Sequence, residues 1–219
     1  PSFFDVIASE YARPCGRFYD QLQWNPFFRL PSSERSERDQ RPIARSLLID
    51  MEPSVVESAL LSSQRRSSRW TYSRQNCIFQ QSGSGNNWAM GFADHGPRMS
   101  DSITNIIRKE LEVTDVFGGF LYMQSMAGGT GSGLGAYLTE TLADVFPKSF
   151  ILNYCIWPFR IGEVIVQSYN ALLTLAHIMD SSHAIFLAEN DALSEECQVI
   201  VRTKHPSFED MNQDAMRAL

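Results

Sequence analysis

The stretch Ser125-Met126-Ala127-Gly128-Gly129-Thr130-Gly131-Ser132-Gly133-Leu134-Gly135 decides how this chain is read. An apolar run with Phe117, Phe120, Leu121, Tyr122 and Met123 leads into it, and a helix-like segment, Ala136 to Phe146, leaves it. Strand, glycine loop and helix, in that order, build an anion site. Glycine reaches φ > 0 and lets phosphate approach the main chain without meeting a Cβ. The helix N-terminus adds unpaired N–H groups and the positive end of its dipole. Thr130 and Ser132 add hydroxyl donors at the same place.

Two common phosphate loops fit poorly. A Walker loop needs Gly-Lys followed by Ser or Thr, and no lysine lies near this stretch. A dinucleotide loop can be laid on Gly131, Gly133 and Ala136, which would make the chain an NAD(P)-dependent oxidoreductase. That motif wants an acid about 20 residues on, at the end of the next strand. The next apolar run, Phe150 to Trp157, ends in Trp157-Pro158 with no carboxylate. A glycine-rich turn that binds nothing is the plainest alternative, and the run of agreeing strand, glycine and helix signals argues against it.

Composition narrows the classes. The chain has 219 residues, room for one large domain or two small ones. Its net charge of −6, from 19 basic and 25 acidic side chains, leaves no electrostatic footprint for nucleic acid or an anionic membrane. No apolar run reaches membrane-spanning length, and the start does not resemble a signal peptide. Cys15, Cys77, Cys155 and Cys197 lack C-x-x-C spacing, as expected of reduced, mostly buried cytosolic thiols. His95, His177, His183 and His205 form no metal-ligand pattern. A first residue of proline rather than methionine leads us to expect a fragment.

Outward from the central loop, helix and strand patterns alternate. Phe3 to Arg13 is expected to be a helix, Pro14 to Arg41 a surface loop, and Ile43 to Ile49 a strand. That strand ends in Asp50-Met51-Glu52-Pro53, with Pro53 opening a helix through Leu61. Acids there either cap the helix or coordinate Mg2+ beyond the strand end. Ser62 to Arg69 reads as a polar loop and Thr71 to Gln80 as extended or irregular. Ser82 to Trp88 is a second loop of small residues and amides, suited to a terminal phosphate or to a plain surface turn. Helices are expected over Met99 to Val116, Gly162 to Asp180 and Ala192 to Val201, with a last one opening near Ser207. Strands are expected over Ser149 to Trp157 and His183 to Ala188. The pattern predicts an α/β fold, a Rossmann-like three-layer parallel sheet with helices on both faces. Ligands of such sheets sit beyond the carboxyl ends of the strands, where these polar loops fall.

From about Ile43 onward, several ordered motifs resemble the tubulin family. Gly128 to Gly133 is similar to its signature loop, which cradles the phosphates of GTP; Ala127 stands where most members have another glycine. Asp50-Met51-Glu52-Pro53 resembles the second nucleotide loop, so the resemblance implies that Asp50 approaches the nucleotide and Glu52 supports Mg2+, with Asp50 close to the metal as well. Ser84, Gly85 and Asn86 match the third loop, which senses the γ-phosphate. Glu163 to Asn170 resembles the ribose loop, with Glu163 replacing an aspartate and Gln167 a glutamate. Asn190 matches an asparagine that reads guanine, Phe208 the ring that stacks on the base, and Asn212 the second guanine-reading amide. The signature site thus comprises Ala127, Gly128, Gly129, Thr130, Gly131, Ser132 and Gly133 alongside these residues.

Within the family the details are most similar to the delta branch. The cues are Ser82-Gly83-Ser84-Gly85-Asn86-Asn87-Trp88-Ala89, His95-Gly96-Pro97-Arg98, Ile106 to Glu110, Ser125 to Gly129, and Ile156-Trp157-Pro158 with Gly162 to Gln167. The resemblance implies GTP or GDP with Mg2+, and a structural role in microtubule-based assemblies of the cytoplasm and cytoskeleton: centriole, basal body and cilium. The implied partners are other tubulin subunits and microtubule-associated centriolar proteins, with neither nucleic acid nor membrane. It also implies one GTP-binding domain over residues 1–219, without the family's first strand or its second and C-terminal domains. Hydrolysis in that family is completed by an acid from the neighbouring subunit, so the isolated chain is expected to turn over negligible GTP. An interaction domain with an empty site is the remaining alternative.

Overall fold

The computed structural model describes residues 2–11, 26–31, 41–66, 69–80, 82–162, 164–202 and 206–217. They form two compact units, Pro1–Gln81 with Ile106–Phe117, and Ser82–Asn105 with Gly118–Ala218.

The first unit contains α1 (Ser2–Tyr11), β1 (Phe28–Arg29), β2 (Ile43–Ala44), β3 (Leu48–Asp50), α2 (Pro53–Arg66) and β4 (Cys77–Phe79). β1 pairs antiparallel with β2, and β3 parallel with β4. Apolar burial holds it together: Phe4, Phe28, Trp70 and Tyr72 meet edge-on or tilted around Ala8, Ala44, Val56 and Leu60. The expected strand 43–49 is split in two. Its interruption bends where Ser46 N–H bonds the Ala44 carbonyl at 2.9 Å. Beside it the Arg45 side chain leaves for Glu110 at 3.5 Å and Thr114 at 2.7 Å. Glu110 also accepts from Arg29 Nε at 2.9 Å and Asn76 Nδ2 at 3.0 Å. The expected polar loop after Leu61 is helix as far as Arg66, because Leu60 and Ser63 are both buried and carry the helix on. Of the expected loop 14–41, Phe28–Arg29 is strand, and residues 14–25 and 32–40 lie outside the described residues.

The second unit is built on a parallel sheet in the order β5 (Gly119–Ser125), β6 (Phe150–Trp157), β7 (Ala184–Glu189). Helices α4 (Gly135–Val145) and α5 (Gln167–Ser181) are its crossovers, followed by α6 (Asn190–Val201) and α7 (Phe208–Arg217). Alternation along β6 sorts the two faces. Cys155 packs with Met126, Ala136, Ala171 and Ile178 beneath α4 and α5. Tyr154 packs with Ala188, Leu193 and Ala215 beneath α6 and α7. Both faces are covered, and the expected three-layer α/β sheet is what forms. The helix α3 (Gly96–Glu112) is preceded by a wide π-type turn, Met90–His95, so the helical run opens at Trp88 rather than Met99. α5 starts at Gln167 instead of Gly162, because Gln167 Nε2 donates to the Phe159 carbonyl at 2.7 Å and folds the preceding loop onto the helix start.

Cys155, wholly buried in the middle strand, is a free thiol whose pKa burial pushes up to about 11. Tyr72 and Tyr122 are pushed up by burial too. In each case the folded state holds its proton beyond the pH at which the unfolded chain releases it. Stability is therefore full below the unfolded pKa and falls as pH rises through the folded one. The urea midpoint should drop between about pH 9 and pH 11, with a shallower drop in Cys155→Ala.

Candidate nucleotide site

The central stretch leaves β5 at Ser125 and turns through Gly129 into a wide π-type helical start, Thr130–Leu134, ahead of α4. Gly129 carbonyl accepts from Gly133 N–H at 2.9 Å and Leu134 N–H at 3.3 Å. Ser132 is wholly buried and its hydroxyl donates to the Gly128 carbonyl, so this donor is committed inside the loop.

The second polar loop lies against the first. Gly85 and Asn86 both have φ near +55° (57° and 53°), a left-handed pair closed by Asn87 N–H to the Ser84 carbonyl at 2.9 Å. Asn87 Oδ1 accepts from Ala89 N–H at 3.0 Å and so caps the helical run that opens at Trp88. Ser84 and Thr130 hydroxyls meet at 3.0 Å. Two helix starts and two small-residue loops are thereby brought side by side. Both dipoles present their positive ends at one place, an arrangement that suits an anion.

Glycine makes that approach possible, though not as the sequence alone suggests. A Cβ on Gly133 would stand 2.0 Å from the Trp88 carbonyl, and one on Gly129 2.5 Å from Ser84 Cβ. One on Gly131 would fall 2.7 Å from the Ser125 carbonyl. These three glycines face protein, whereas a Cβ on Gly128 would meet only Asn86 Oδ1, at 3.5 Å. Gly128 marks the open side of the loop. Residues 127, 128, 130 and 131 are half-buried there, and Gly85 and Asn86 are exposed.

The remaining expected residues are placed as follows. Asn190 opens α6 directly after β7 at the carboxyl edge of the sheet, with Asp191 Oδ2 accepting from Arg160 N–H at 2.9 Å. Phe208 is 69% exposed at the start of α7, its ring 6.5 Å from that of Phe159 in an edge-on pair. Asn212 is exposed one turn later. Gln167 is tied to the loop backbone as described above, and Glu163 lies outside the described residues. Asp50 and Glu52 belong to the first unit. Asp50 Oδ1 accepts from Glu52 N–H at 3.1 Å, an Asx-type turn just ahead of α2 that reaches none of the helix's own amides, and Glu52 is exposed. Among the described residues no three or more His, Cys, Asp and Glu side chains form a metal-holding group.

Residues 6–198 match the family model for the Tubulin/FtsZ family, GTPase domain. The chain belongs to the tubulin family. It is 51% identical over 213 residues to the tubulin delta chain of Homo sapiens, an alignment covering 96% of this chain and 46% of that one. It is 44% identical to the tubulin delta chain of Canis lupus familiaris, with the same coverage of 96% and 46%. To the tubulin beta-1 chain of Geotrichum candidum it is 30% identical, over 97% of this chain and 47% of that one. The chain spans about half the length of the curated relatives it matches. A tubulin-type GTPase domain implies guanine-nucleotide binding, not a nicotinamide dinucleotide.

Asn87 and Asn170 fall within the second loop and the ribose-like segment read from the sequence, but neither is given a role of its own there. Asn87 stands directly before a helical run, a capping signal that could have been used. Asn170 gave no local signal, since it is one polar residue within an amphipathic helix. The glycine geometry makes a paired prediction. Gly133→Ala should cost about 2–3 kcal/mol in urea unfolding, whereas Gly128→Ala should stay within about 0.5 kcal/mol of the unaltered chain.

Proposed function

We propose that this chain is a guanine-nucleotide-binding domain of a tubulin-family subunit, and that GTP and GDP tune its assembly into microtubule-based structures of the cytoplasm and cytoskeleton. The observation that carries the reading is the meeting of the Ser84-to-Asn87 turn with the Ala127-to-Gly133 loop at two helix starts. The two loops hold the phosphates through main-chain N–H groups and the Ser84 and Thr130 hydroxyls. Asn190 and Asn212 read the guanine edge, Phe208 stacks on the base, and the Glu163-to-Gln167 segment serves the ribose. Phe208 is suited to stacking because its ring is largely exposed, and stacking needs only a π face. Asp50 and Glu52 are the carboxylates proposed to take Mg2+. The partners are other tubulin subunits and microtubule-associated centriolar proteins, in centriole, basal body or cilium. Hydrolysis is completed by an acid of the neighbouring subunit.

The test is to release and identify the nucleotide carried by freshly purified protein, then to titrate the emptied protein with GTP, ATP and NAD. Guanine nucleotide, with GTP bound most tightly, is the expected result, and a nicotinamide cofactor would overturn the assignment. Replacing Asn190 and Asn212 together by alanine should weaken GTP at least tenfold while leaving the unfolding midpoint unchanged.

A further inference from the structure

Asn170 lies in the first turn of α5 and is 3% exposed. A carboxamide has two N–H donors and an acceptor oxygen, and here all are engaged with main chain. Nδ2 donates to the carbonyls of Asn86 and Ala127, each at 2.8 Å, and Oδ1 accepts from Trp88 N–H at 3.2 Å. One buried side chain therefore grips both loops and the first amide of a helix. Because its partners are peptide groups, the grip is independent of the loop side chains.

The bond to Ala127 has a directional consequence. In a trans peptide the C=O and the following N–H point in opposite directions. With the Ala127 carbonyl drawn inward to Asn170, the Gly128 N–H is turned outward. A Cβ built on Gly128 would meet only Asn86 Oδ1, at 3.5 Å, so the residue borders open space. We infer that Asn170 is a positioning residue that locks the two phosphate loops together and aims the Gly128 N–H at the bound phosphates. This rests on the nucleotide reading above. It adds that phosphate affinity is set by a buried amide that itself touches no ligand. Asn170→Asp keeps the shape and the acceptor, removes both donors, and sets a carboxylate against two carbonyl oxygens.

The experiment compares GTP, GDP and guanosine binding to the full chain and to N170D by equilibrium titration. The expected result is a ratio of GTP to guanosine affinity at least tenfold lower in N170D, with guanosine affinity unchanged. A merely structural residue would lower all three affinities together or none, and either pattern overturns the inference while leaving the nucleotide reading intact. If the unaltered chain binds none of the three, both are overturned. Amide exchange of the unaltered, nucleotide-free chain gives a readout independent of ligand and of any variant's folding. The first amide of a helix has no intrahelical partner, so slow exchange at Trp88 reports its bond to Asn170. A rate at Trp88 equal to that of an unstructured amide would overturn the inference as well.

Discussion

The candidate site of the second unit depends on a contact between two stretches of main chain. A Cβ on Gly133 would lie 2.0 Å from the Trp88 carbonyl, and one on Gly91 would lie 2.1 Å from the Gly129 carbonyl. The start of the signature helix and the start of the helix opening at Trp88 are interlocked through glycines at both points. No side chain fits there, so the two helix starts come as near as backbones can. Bringing two positive dipole ends together is unfavourable by itself and becomes favourable when an anion lies at their ends. The packing and the chemistry of the site are thus one constraint.

Beneath the loops, the sheet supplies a polar support within an apolar core. Asn153 on β6 is fully buried, accepts from Gln124 Nε2 at 2.9 Å and donates to Ser182 Oγ at 2.7 Å. Thr139 on α4 approaches the same Asn153 oxygen at 3.5 Å. A Cβ on Gly135, the first residue of α4, would fall 1.8 Å from Gln124 Oε1. Gln124 is one residue before the loop begins, and its Nε2 meets Thr139 of α4 at the Asn153 oxygen, so the strand end and α4 share these bonds while Gln124 Oε1 is buried without a partner. Buried polar groups with partners specify a single arrangement, because any slip leaves them unpaired in a low dielectric.

The first unit solves a different problem. Its strands are only two or three residues long, too short to hold together by ladder bonds, and its order comes from an aromatic cluster and from Glu110. That carboxylate is 17% exposed and gathers Arg29, Arg45 and Asn76. A charge so placed is tolerated because its partners are charged or donate hydrogen bonds. The turn carrying Asp50 and Glu52 follows directly from this framework, between β3 and α2.

By itself the sequence determined the order of elements, the parallel α/β class and the positions of the polar loops. Periodicity, capping and glycine chemistry act over a few residues, and those signals are strong around Ser125 to Gly135. It also carried the family, through motifs whose order survives changes such as Gln167 for a glutamate or Phe208 for a tyrosine. Local rules misplaced what tertiary contacts govern: the break after Ala44, the extension of α2 to Arg66, and the start of α5. Only the tertiary structure decided that Gly129, Gly131 and Gly133 face protein while Gly128 faces outward. Only the fold brought Asn170 to carbonyls 84 and 43 residues away in the chain. A hydrogen bond over such a separation is set by how α5 docks on the sheet, and no local propensity encodes it.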